Sequence, residues 1–421
     1  MIYIPTSEIK QPQLHADTLG FTFVWKGHFL RGIYRQSEAL AKSYFETGFL
    51  NEVVTRGFFP KTWISEYENE QFCMILEHEL IQPALFATEW NSAMLKDAAL
   101  MVIDLAEIGW KYGYNMVDCH KLNVLFSYNK PLYVDLGSFV LKENGSTGWR
   151  PYKGYLESYV YILDMWTNGC GQIAKRMMSP GVYLRTEDYM SWKQPIYRRL
   201  PGLKAHRIKI RRNINRLAIM ADDKRNGVKG FAKRVVDIFK PAISQHFSKL
   251  QRYISRCKVI YAPISKGKVA DVRMISDCSS ITCINITSLR IVNTLLQNGI
   301  KRVISLNEDD SVSNTEYREL KNITSVSYHL LNGGVLVRDN YPEMRLQSEV
   351  VLAYCTDGGH GEFSLHNSLV YLERCMAYST TGTMYVLLPY NNQGMLDLLR
   401  KNWKVERVSD DGKLIEVKLL A

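Results

Sequence analysis

Apolar and polar residues alternate near the N-terminus and then change to a helical spacing. Two alternating runs, 21–25 and 28–35, flank Lys26-Gly27, which predicts a β-hairpin. Apolar residues then recur every three or four positions, which predicts a helix. Residues 61–81 carry two further strand patterns, so the chain begins with a mixed α and β region.

A long amphipathic segment at 91–113 has its apolar residues on one helical face. The stretch VDCHKLNVLFSYNKPLYVDLGSF follows at 117–139. It predicts a loop, a strand, a turn at 129–131 and a second strand that ends before an Asp-Leu-Gly triplet. Between about 155 and 255 the strand patterns fade and helical ones dominate. We therefore expect an α+β N-terminal domain with a helical remainder.

From residue 257 onward, short apolar runs alternate with helical patterns, which predicts βαβ units and a mostly parallel sheet. The predicted strands are CKVIYAPI, KVADVRMI, KRVISLN, ITSVSYHLL, SEVVLAYC, GTMYVLLPY and LIEVKLLA. We expect three regions, 1–155, 156–255 and 256–421, of which the last is an α/β Rossmann-like domain.

The composition is that of a folded protein with a sizeable core, since 46% of the 421 residues are hydrophobic and 23% are charged. No secretory signal and no apolar run of membrane-spanning length is visible, which predicts a cytoplasmic protein. The eight cysteines include no Cys-x-x-Cys pair, so neither a zinc site nor a disulfide framework is indicated.

The formal charge of +11 is concentrated in one segment. Residues 193–258 contain 19 Lys or Arg and 3 acids, a charge of +16, which leaves −5 for the rest of the chain. Such a field attracts phosphates, nucleic acid or an acidic membrane surface. We expect an acidic or phosphorylated partner, such as a lipid-linked glycan or the inner face of a membrane. Nucleic acid and a merely solvated helix face are the alternatives, and the oligomeric state stays open.

Three polar residues of the 117–139 stretch, Asp118, Asn123 and Asp135, have two interpretations. In the first, Asp118 and Asn123 cap a turn, and Asp135 ends a strand. In the second, Asp118 orients or deprotonates an acceptor hydroxyl, while Asn123 and Asp135 hold Mg²⁺ against nucleotide phosphates. Mg²⁺ prefers such hard oxygen ligands, and phosphoryl transfer depends on positioning and charge neutralisation.

A helix, a loop Asp, an Asn five residues later and a hairpin ending in Asp-Leu-Gly resemble the catalytic half of the kinase fold. The resemblance implies ATP and Mg²⁺ as ligands, Asp118 as the catalytic residue and a sharp backbone turn at Gly137. It also implies a strand cation, a helix acid and a hinge beside adenine, for which the candidates are Arg31, Arg35, Glu38, Glu77 and Glu79. The hairpin lacks the Gly-rich loop of kinases, and arginine stands where they have lysine.

A wider match resembles a family of bacterial class I SAM-dependent methyltransferases with a kinase-like N-terminal region. It is carried by Tyr34-Arg35, Glu89-Trp90, Asp118, Asn123, Val124, Phe126, Pro131, Asp135, Ser138 and Phe139. The similarity covers residues 20–165 well and the remainder loosely. It implies a methyltransferase-like C-terminal domain. The architecture also resembles bifunctional kinase–methyltransferases that act in polysaccharide biosynthesis.

A SAM site needs a close backbone turn after the first strand and an acid at the end of the second strand. The aligned turn, 283–287, contains no glycine, and Asn307 stands where the acid is expected, with Glu308 and Asp309 just after it. This departure favours a domain that has lost or remodelled SAM binding. The candidate contacts are Cys283, Asn285, Thr287, Asn307, Asp309, Asp339, Asp357 and His360.

Three functions follow as hypotheses. The leading one is a Mg-ATP-dependent phosphotransferase that acts on a non-protein hydroxyl of a glycan, a lipid-linked acceptor or a small molecule. The second is a SAM-dependent methyltransferase whose kinase-like half only positions the substrate. The third is a non-catalytic pseudo-enzyme scaffold that binds a polyanion through the basic segment.

Overall fold

The computed structural model describes residues 2–10, 17–143, 149–193, 243–264, 271–331, 347–355 and 362–420. The chain forms two compact units. Unit 1 consists of Met1–Leu80, Lys96–Val124 and Leu132–Cys257, and unit 2 consists of Ile81–Leu95, Leu125–Pro131 and Lys258–Ala421. The boundary after Cys257 lies two residues beyond the expected one. The two short segments that unit 2 takes from the N-terminal half are not indicated by the sequence pattern.

The N-terminal half contains short strands and mostly short helices. The strands are β1 (Ile2–Tyr3), β2 (Gly20–Trp25), β3 (His28–Ile33), β4 (Thr62–Ile64), β5 (Tyr67–Glu68), β6 (Met74–His78), β7 (Ala84–Leu85), β8 (Tyr114–Met116), β9 (Val124–Ser127), β10 (Lys130–Tyr133) and β11 (Phe139–Leu141). The helices up to residue 256 are α1 (Glu38–Glu46), α2 (Phe49–Thr55), α3 (Ser92–Lys111), α4 (Tyr152–Tyr155), α5 (Tyr161–Thr167), α6 (Gly171–Met177), α7 (Thr186–Lys193) and α8 (Ile243–Arg256).

Unit 1 contains an antiparallel sheet of order β2-β3-β6-β4. The predicted hairpin is confirmed, since β2 and β3 pair along their whole length around Lys26 and Gly27, which have φ angles of 47° and 86°. One face of the sheet packs into an apolar cluster that includes Phe23, Leu30 and Ile75. Because side chains alternate between faces, Arg31 lies on the opposite face, where it is buried.

The long predicted helix is α3, and Gly113 follows it with a φ of 85°, as expected of a helix C-cap. The next hairpin is also present as β9 and β10. Its turn was predicted wrongly, however, because the chain turns at Tyr128 and Asn129, so that Pro131 lies within β10. Tyr128 adopts a φ of 53° there.

Unit 2 is built on a seven-stranded sheet. Its strands are β12 (Ser280–Ile284), β13 (Arg302–Asn307), β14 (Val326–Leu330), β15 (Ser348–Tyr354), β16 (Ser379–Leu387), β17 (Lys404–Val408) and β18 (Leu414–Lys418). The helices between them are α9 (Leu289–Gln297), α10 (Asp310–Leu320), α11 (Glu362–Met376) and α12 (Gln393–Asn402).

The strand order is β14-β13-β12-β15-β16-β18-β17, and the five strands from β14 to β16 run parallel. β18 is antiparallel to both of its neighbours. An order that reverses between β12 and β15 is that of a doubly wound fold. The predicted Rossmann-like fold of the C-terminal region is therefore confirmed.

The strands predicted at 257–264 and 268–275 are wrong for the residues that the structure describes. The first of these runs is a loop whose backbone bonds to α10, where the amide of Ala262 donates to the carbonyl of Ser311 at 3.0 Å. Ile260 and Ile264 are half exposed. None of the helices in the described ranges is both long and apolar enough to cross a membrane.

Candidate functional site

The first candidate site is a polar cluster in unit 1, where the loop after β8 meets the end of β10. The amide nitrogen of Asn123 donates to a carboxylate oxygen of Asp135 at 3.3 Å and lies 3.4 Å from the hydroxyl of Tyr133. That hydroxyl donates to the backbone carbonyl of Asp118 at 2.8 Å. The three predicted residues are thus linked, with Asp118 joined to the others through its backbone carbonyl.

The turn-capping interpretation also describes the local structure. Asp135 precedes a 3₁₀ turn, and its carboxylate accepts a hydrogen bond from the amide of Gly137 at 3.1 Å and another from the hydroxyl of Ser138. Burial raises the pKa of Asp135, although the hydrogen bond from Ser138 and the charge of Arg31 act in the opposite direction. The capping and ligand roles are compatible, because a carboxylate has about four acceptor positions.

Asp118 is paired with His120, whose Nε2 lies 3.2 Å from its carboxylate. Burial acts to raise the pKa of Asp118, but the hydrogen bond and charge of His120 outweigh it, so that this pKa lies below its usual value. For His120, burial acts to lower the pKa, but the hydrogen bond to Asp118 and its charge outweigh burial, so that this pKa lies above its usual value. The pair therefore favours an ionised Asp118.

Arg31 is the predicted strand cation that reaches the cluster. One of its terminal nitrogens donates to Asp17, and the other lies 4.0 Å from Asp135. The remaining nucleotide candidates have other partners: Arg35 donates to the carbonyl of Glu70, Glu38 pairs with Lys42, Glu77 with His28, and Glu79 with Lys61. The structure thus leaves these four outside the cluster.

Glycine at position 137 is not explained by the sharp turn that the sequence suggested, since its φ is not positive. A Cβ built on Gly137 would lie 2.2 Å from a carboxylate oxygen of Asp17. Glycine is therefore needed so that Asp17 can approach the backbone. No sequence motif around Asp17 marks it as a residue of this site.

The cluster could hold Mg²⁺ only if a bound phosphate and water completed the coordination of the ion. The described part of the chain contains no group of three or more His, Cys, Asp or Glu that could hold a metal ion. Asp135 offers a carboxylate oxygen, and Asn123 would add its amide oxygen once its amide group turned, since its nitrogen faces Asp135. Mg²⁺ is commonly held by one or two carboxylates together with substrate phosphates and water. These residues would hold Mg²⁺ beside a phosphate, where it would neutralise negative charge.

The second candidate site is a pocket of about 240 Å³ in unit 2, at the carboxyl ends of β12, β13 and β14. Ligands of doubly wound folds bind outside this edge of the sheet. Ile284, Leu306 and Leu331 give the pocket an apolar floor. Its polar lining comes from Glu308 and from Asn367, Tyr371 and Arg374 on α11.

Asn285 shapes the mouth of this pocket. It has a φ of 55°, a left-handed conformation that asparagine tolerates better than most residues. Its side-chain oxygen accepts a hydrogen bond from the amide of Glu308 at 3.1 Å, and its amide nitrogen lies 3.4 Å from the hydroxyl of Tyr371. The turn after β12 is therefore tight even though it contains no glycine.

The other predicted SAM contacts that the structure describes do not line the pocket. Asn307 is buried and bonded to Glu316, and Cys283 is fully buried in β12. Asp309 caps the N-terminus of α10, and Thr287 lines a separate cavity of about 10 Å³. The remaining candidates, Asp339, Asp357 and His360, lie outside the described residues. Glu308, which the sequence offered only as a neighbour of the expected acid, is the acid at the pocket.

Most of the basic segment 193–258 also lies outside the described residues, which resume at 243. Its described end is α8, which buries Phe247, Leu250 and Ile254 and leaves Lys249 and Arg252 exposed. In this part of the segment, Lys249 and Arg252 therefore face solvent while the apolar side of the helix is buried. The expected acidic or phosphorylated partner stays a prediction.

No protein-family model matches the sequence, and the search of curated proteins gives no match. Among solved structures, the chain is similar to ribosomal protein L11 methylase from Lactobacillus delbrueckii subsp. bulgaricus, with 10% identity and a TM-score of 0.26 over 35% of this chain and 74% of that one. It is also similar to M. capricolum TrmK in complex with S-adenosyl-homocysteine (SAH), with 14% identity and a TM-score of 0.27 over 35% and 64%.

The second match spans less than two thirds of the length of that protein. We assign the fold of unit 2 from its own strand order and register. The first structure is described as a methylase, and the second was solved with SAH. The kinase-like N-terminal domain stays a prediction.

Proposed function

We propose that the protein is a SAM-dependent methyltransferase whose cofactor lies in the pocket of unit 2. The observation that carries the proposal is the position of this pocket at the carboxyl ends of β12 to β14, with Glu308 beside an apolar floor. A carboxylate there is suited to accept hydrogen bonds from ribose hydroxyls, and the floor is suited to an adenine ring. SAM would supply an electrophilic methyl group.

The size and lining of the pocket favour a single nucleoside over a dinucleotide. Its volume of about 240 Å³ is below the roughly 300–1,000 Å³ of most ligand pockets. Arg374 offers a cation for the carboxylate of the methionine part, opposite in charge to Glu308.

Calorimetric titration of the full chain with SAH tests the proposal. We expect binding that weakens about tenfold or more in Glu308→Gln and in Arg374→Ala, because each loses a charge-assisted contact. Glu373→Ala is the matched control, because Glu373 neighbours Arg374 on α11, is exposed and does not line the pocket. If the wild type bound neither SAH nor SAM, the proposal would be overturned.

A second candidate function is a Mg-ATP-dependent phosphotransferase in unit 1. The observation that favours it is the 3.3 Å contact of Asn123 with Asp135, beside the ionised Asp118. In such a reaction Asp118 would hold or receive the proton of the acceptor hydroxyl. Mg²⁺-dependent thermal stabilisation by ATP, lost in Asp135→Asn but kept when the exposed Asp188 of α7 is changed to Asn, would support this function. No shift at millimolar Mg-ATP would end it.

A further inference from the structure

The guanidinium of Arg31 is buried with more donors than partners. The residue is 5% exposed, and its Nε has no hydrogen-bond partner among the described residues. One terminal nitrogen bonds to Asp17, while the other is 4.0 Å from Asp135, too far for a hydrogen bond. A buried cation needs anionic partners and filled donors. The guanidinium of Arg31 is therefore suited to bind an anion that accepts hydrogen bonds from several of its N–H groups.

The Asp17 carboxylate occupies the space where such an anion would lie. It bonds to Arg31 from one side and meets the backbone of Gly137 on the other, in a gap that any Cβ would fill. The Asp17 side chain is 23% exposed, against 6% for that of Arg31. The carboxylate is thus the solvent-facing member of the pair, on the side from which a ligand would arrive.

The Asp17 side chain is fixed by few hydrogen bonds from the described residues. Apart from Arg31, the described residues supply one hydrogen bond to its carboxylate, from the amide of Leu19 at 2.8 Å. The chain beyond it is fixed independently, because the carbonyl of Leu19 accepts from Tyr34 and the carbonyl of Thr18 accepts from Ser37. A rotation of the Asp17 side chain would therefore free Arg31 without unfolding the start of β2.

The charge of the cluster makes such a movement necessary for an anionic ligand. Asp17, Asp118 and Asp135 place three carboxylates around one arginine and one histidine. A phosphate brought next to Asp17 would meet like charge at short range, whereas a phosphate that replaces it would exchange one ion pair with Arg31 for another.

We propose that Asp17 is a built-in competitor for the anion site on Arg31, and that a phosphate-bearing ligand binds by displacing it. The inference rests on the second candidate function for its ligand, a nucleoside triphosphate with Mg²⁺. When the carboxylate is displaced, the donor that it occupied and the unused donors of Arg31 can all bind the phosphate oxygens. Asp17 is then a regulatory residue that sets the ligand concentration at which the site fills.

The test measures binding of Mg-ATP and, separately, of inorganic tripolyphosphate to the full chain by calorimetry. Asp17→Asn removes the charge and keeps the shape of the side chain. We expect this variant to bind Mg-ATP about tenfold more tightly than the wild type, because a charge-assisted hydrogen bond no longer competes. The gain should vanish in Asp17→Asn/Arg31→Gln. Glu46→Gln, which removes an exposed acid from α1, should bind like the wild type.

The outcomes separate the inference from the function on which it rests. If the wild type binds Mg-ATP and Asp17→Asn binds no better, the inference is wrong and the phosphotransferase function stands. If neither binds Mg-ATP, that function fails. The tripolyphosphate titration then decides the inference, since a gain in Asp17→Asn supports it and no gain overturns it.

Hydrogen exchange of the wild type gives a second readout that needs no variant. The amide of Leu19 donates to Asp17, so displacement of the carboxylate should speed its exchange when tripolyphosphate or Mg-ATP saturates the protein. Slower exchange of Leu19 in the bound protein would overturn the inference.

Discussion

Asn307 donates a hydrogen bond to Glu316 at 2.8 Å inside unit 2, on the side of β13 that faces α10. Ser305 donates to the same carboxylate oxygen at 2.6 Å. Burial raises the pKa of Glu316 to about 8, even though these two hydrogen bonds act to lower it. Asn307 thus belongs to a buried polar network, and its neighbour Glu308 belongs to the pocket.

The buried Glu316 predicts a stability that falls as the pH rises. The pKa of this carboxyl is higher in the folded chain than its ordinary value of 4.5, so its contribution to stability is complete below pH 4.5 and is lost progressively up to about pH 8. The loss is roughly 3–5 kcal/mol. Glu316→Gln should remove it, with a larger advantage over the wild type at pH 8.5 than at pH 5 in urea unfolding.

The control for this change is Glu319→Gln, which alters an exposed acid on the same helix. Its stability profile should run parallel to that of the wild type. A parallel profile for Glu316→Gln as well would show that Glu316 ionises normally in the folded protein.

A second carboxylate beside Glu316 should be costly. Asn307→Asp places a carboxyl where the amide now donates to Glu316, so one acid must stay protonated or the two must separate. We expect a loss of about 2 kcal/mol or more at pH 8 and no gain in SAH affinity. The same change at exposed Asn298 should cost little. Tighter SAH binding by Asn307→Asp would instead place residue 307 in the pocket.

The Rossmann-like sheet could be predicted because its strands are buried apolar runs separated by helical patterns. The choice between Asn307 and Glu308 could not be predicted. Asn307 ends β13 and Glu308 follows it directly, and adjacent residues in extended backbone point to opposite sides, so an error of one position exchanges them. Asp17 was missed for another reason. Its contact with Gly137 joins distant parts of the chain, and no local pattern of residue types reports such a contact.

The left-handed conformation of Asn285 predicts an unusual order of stability among its variants. Asn285→Gly loses side-chain hydrogen bonds but adopts a φ of 55° without strain, whereas Asn285→Ala loses the same bonds and keeps the strain. The Asn285→Gly variant should therefore be more stable than the Asn285→Ala variant by about 1 kcal/mol in urea unfolding. At Asn298, where φ is −73°, we expect alanine to equal or exceed glycine. The same order at both positions would contradict the left-handed turn.

The close approach of Asp17 to Gly137 predicts strong coupling between substitutions at the two positions. Gly137→Ala adds a Cβ that would lie 2.2 Å from the Asp17 carboxylate, so this side chain must leave Arg31. In the Asp17→Ala background the obstacle is gone, and Gly137→Ala should cost little. A double-mutant cycle in urea should therefore give a coupling of about 1 kcal/mol or more. Gly154→Ala, whose Cβ meets nothing within 4 Å, should be additive with Asp17→Ala. Additivity at Gly137 too would mean that Asp17 does not rest against that glycine.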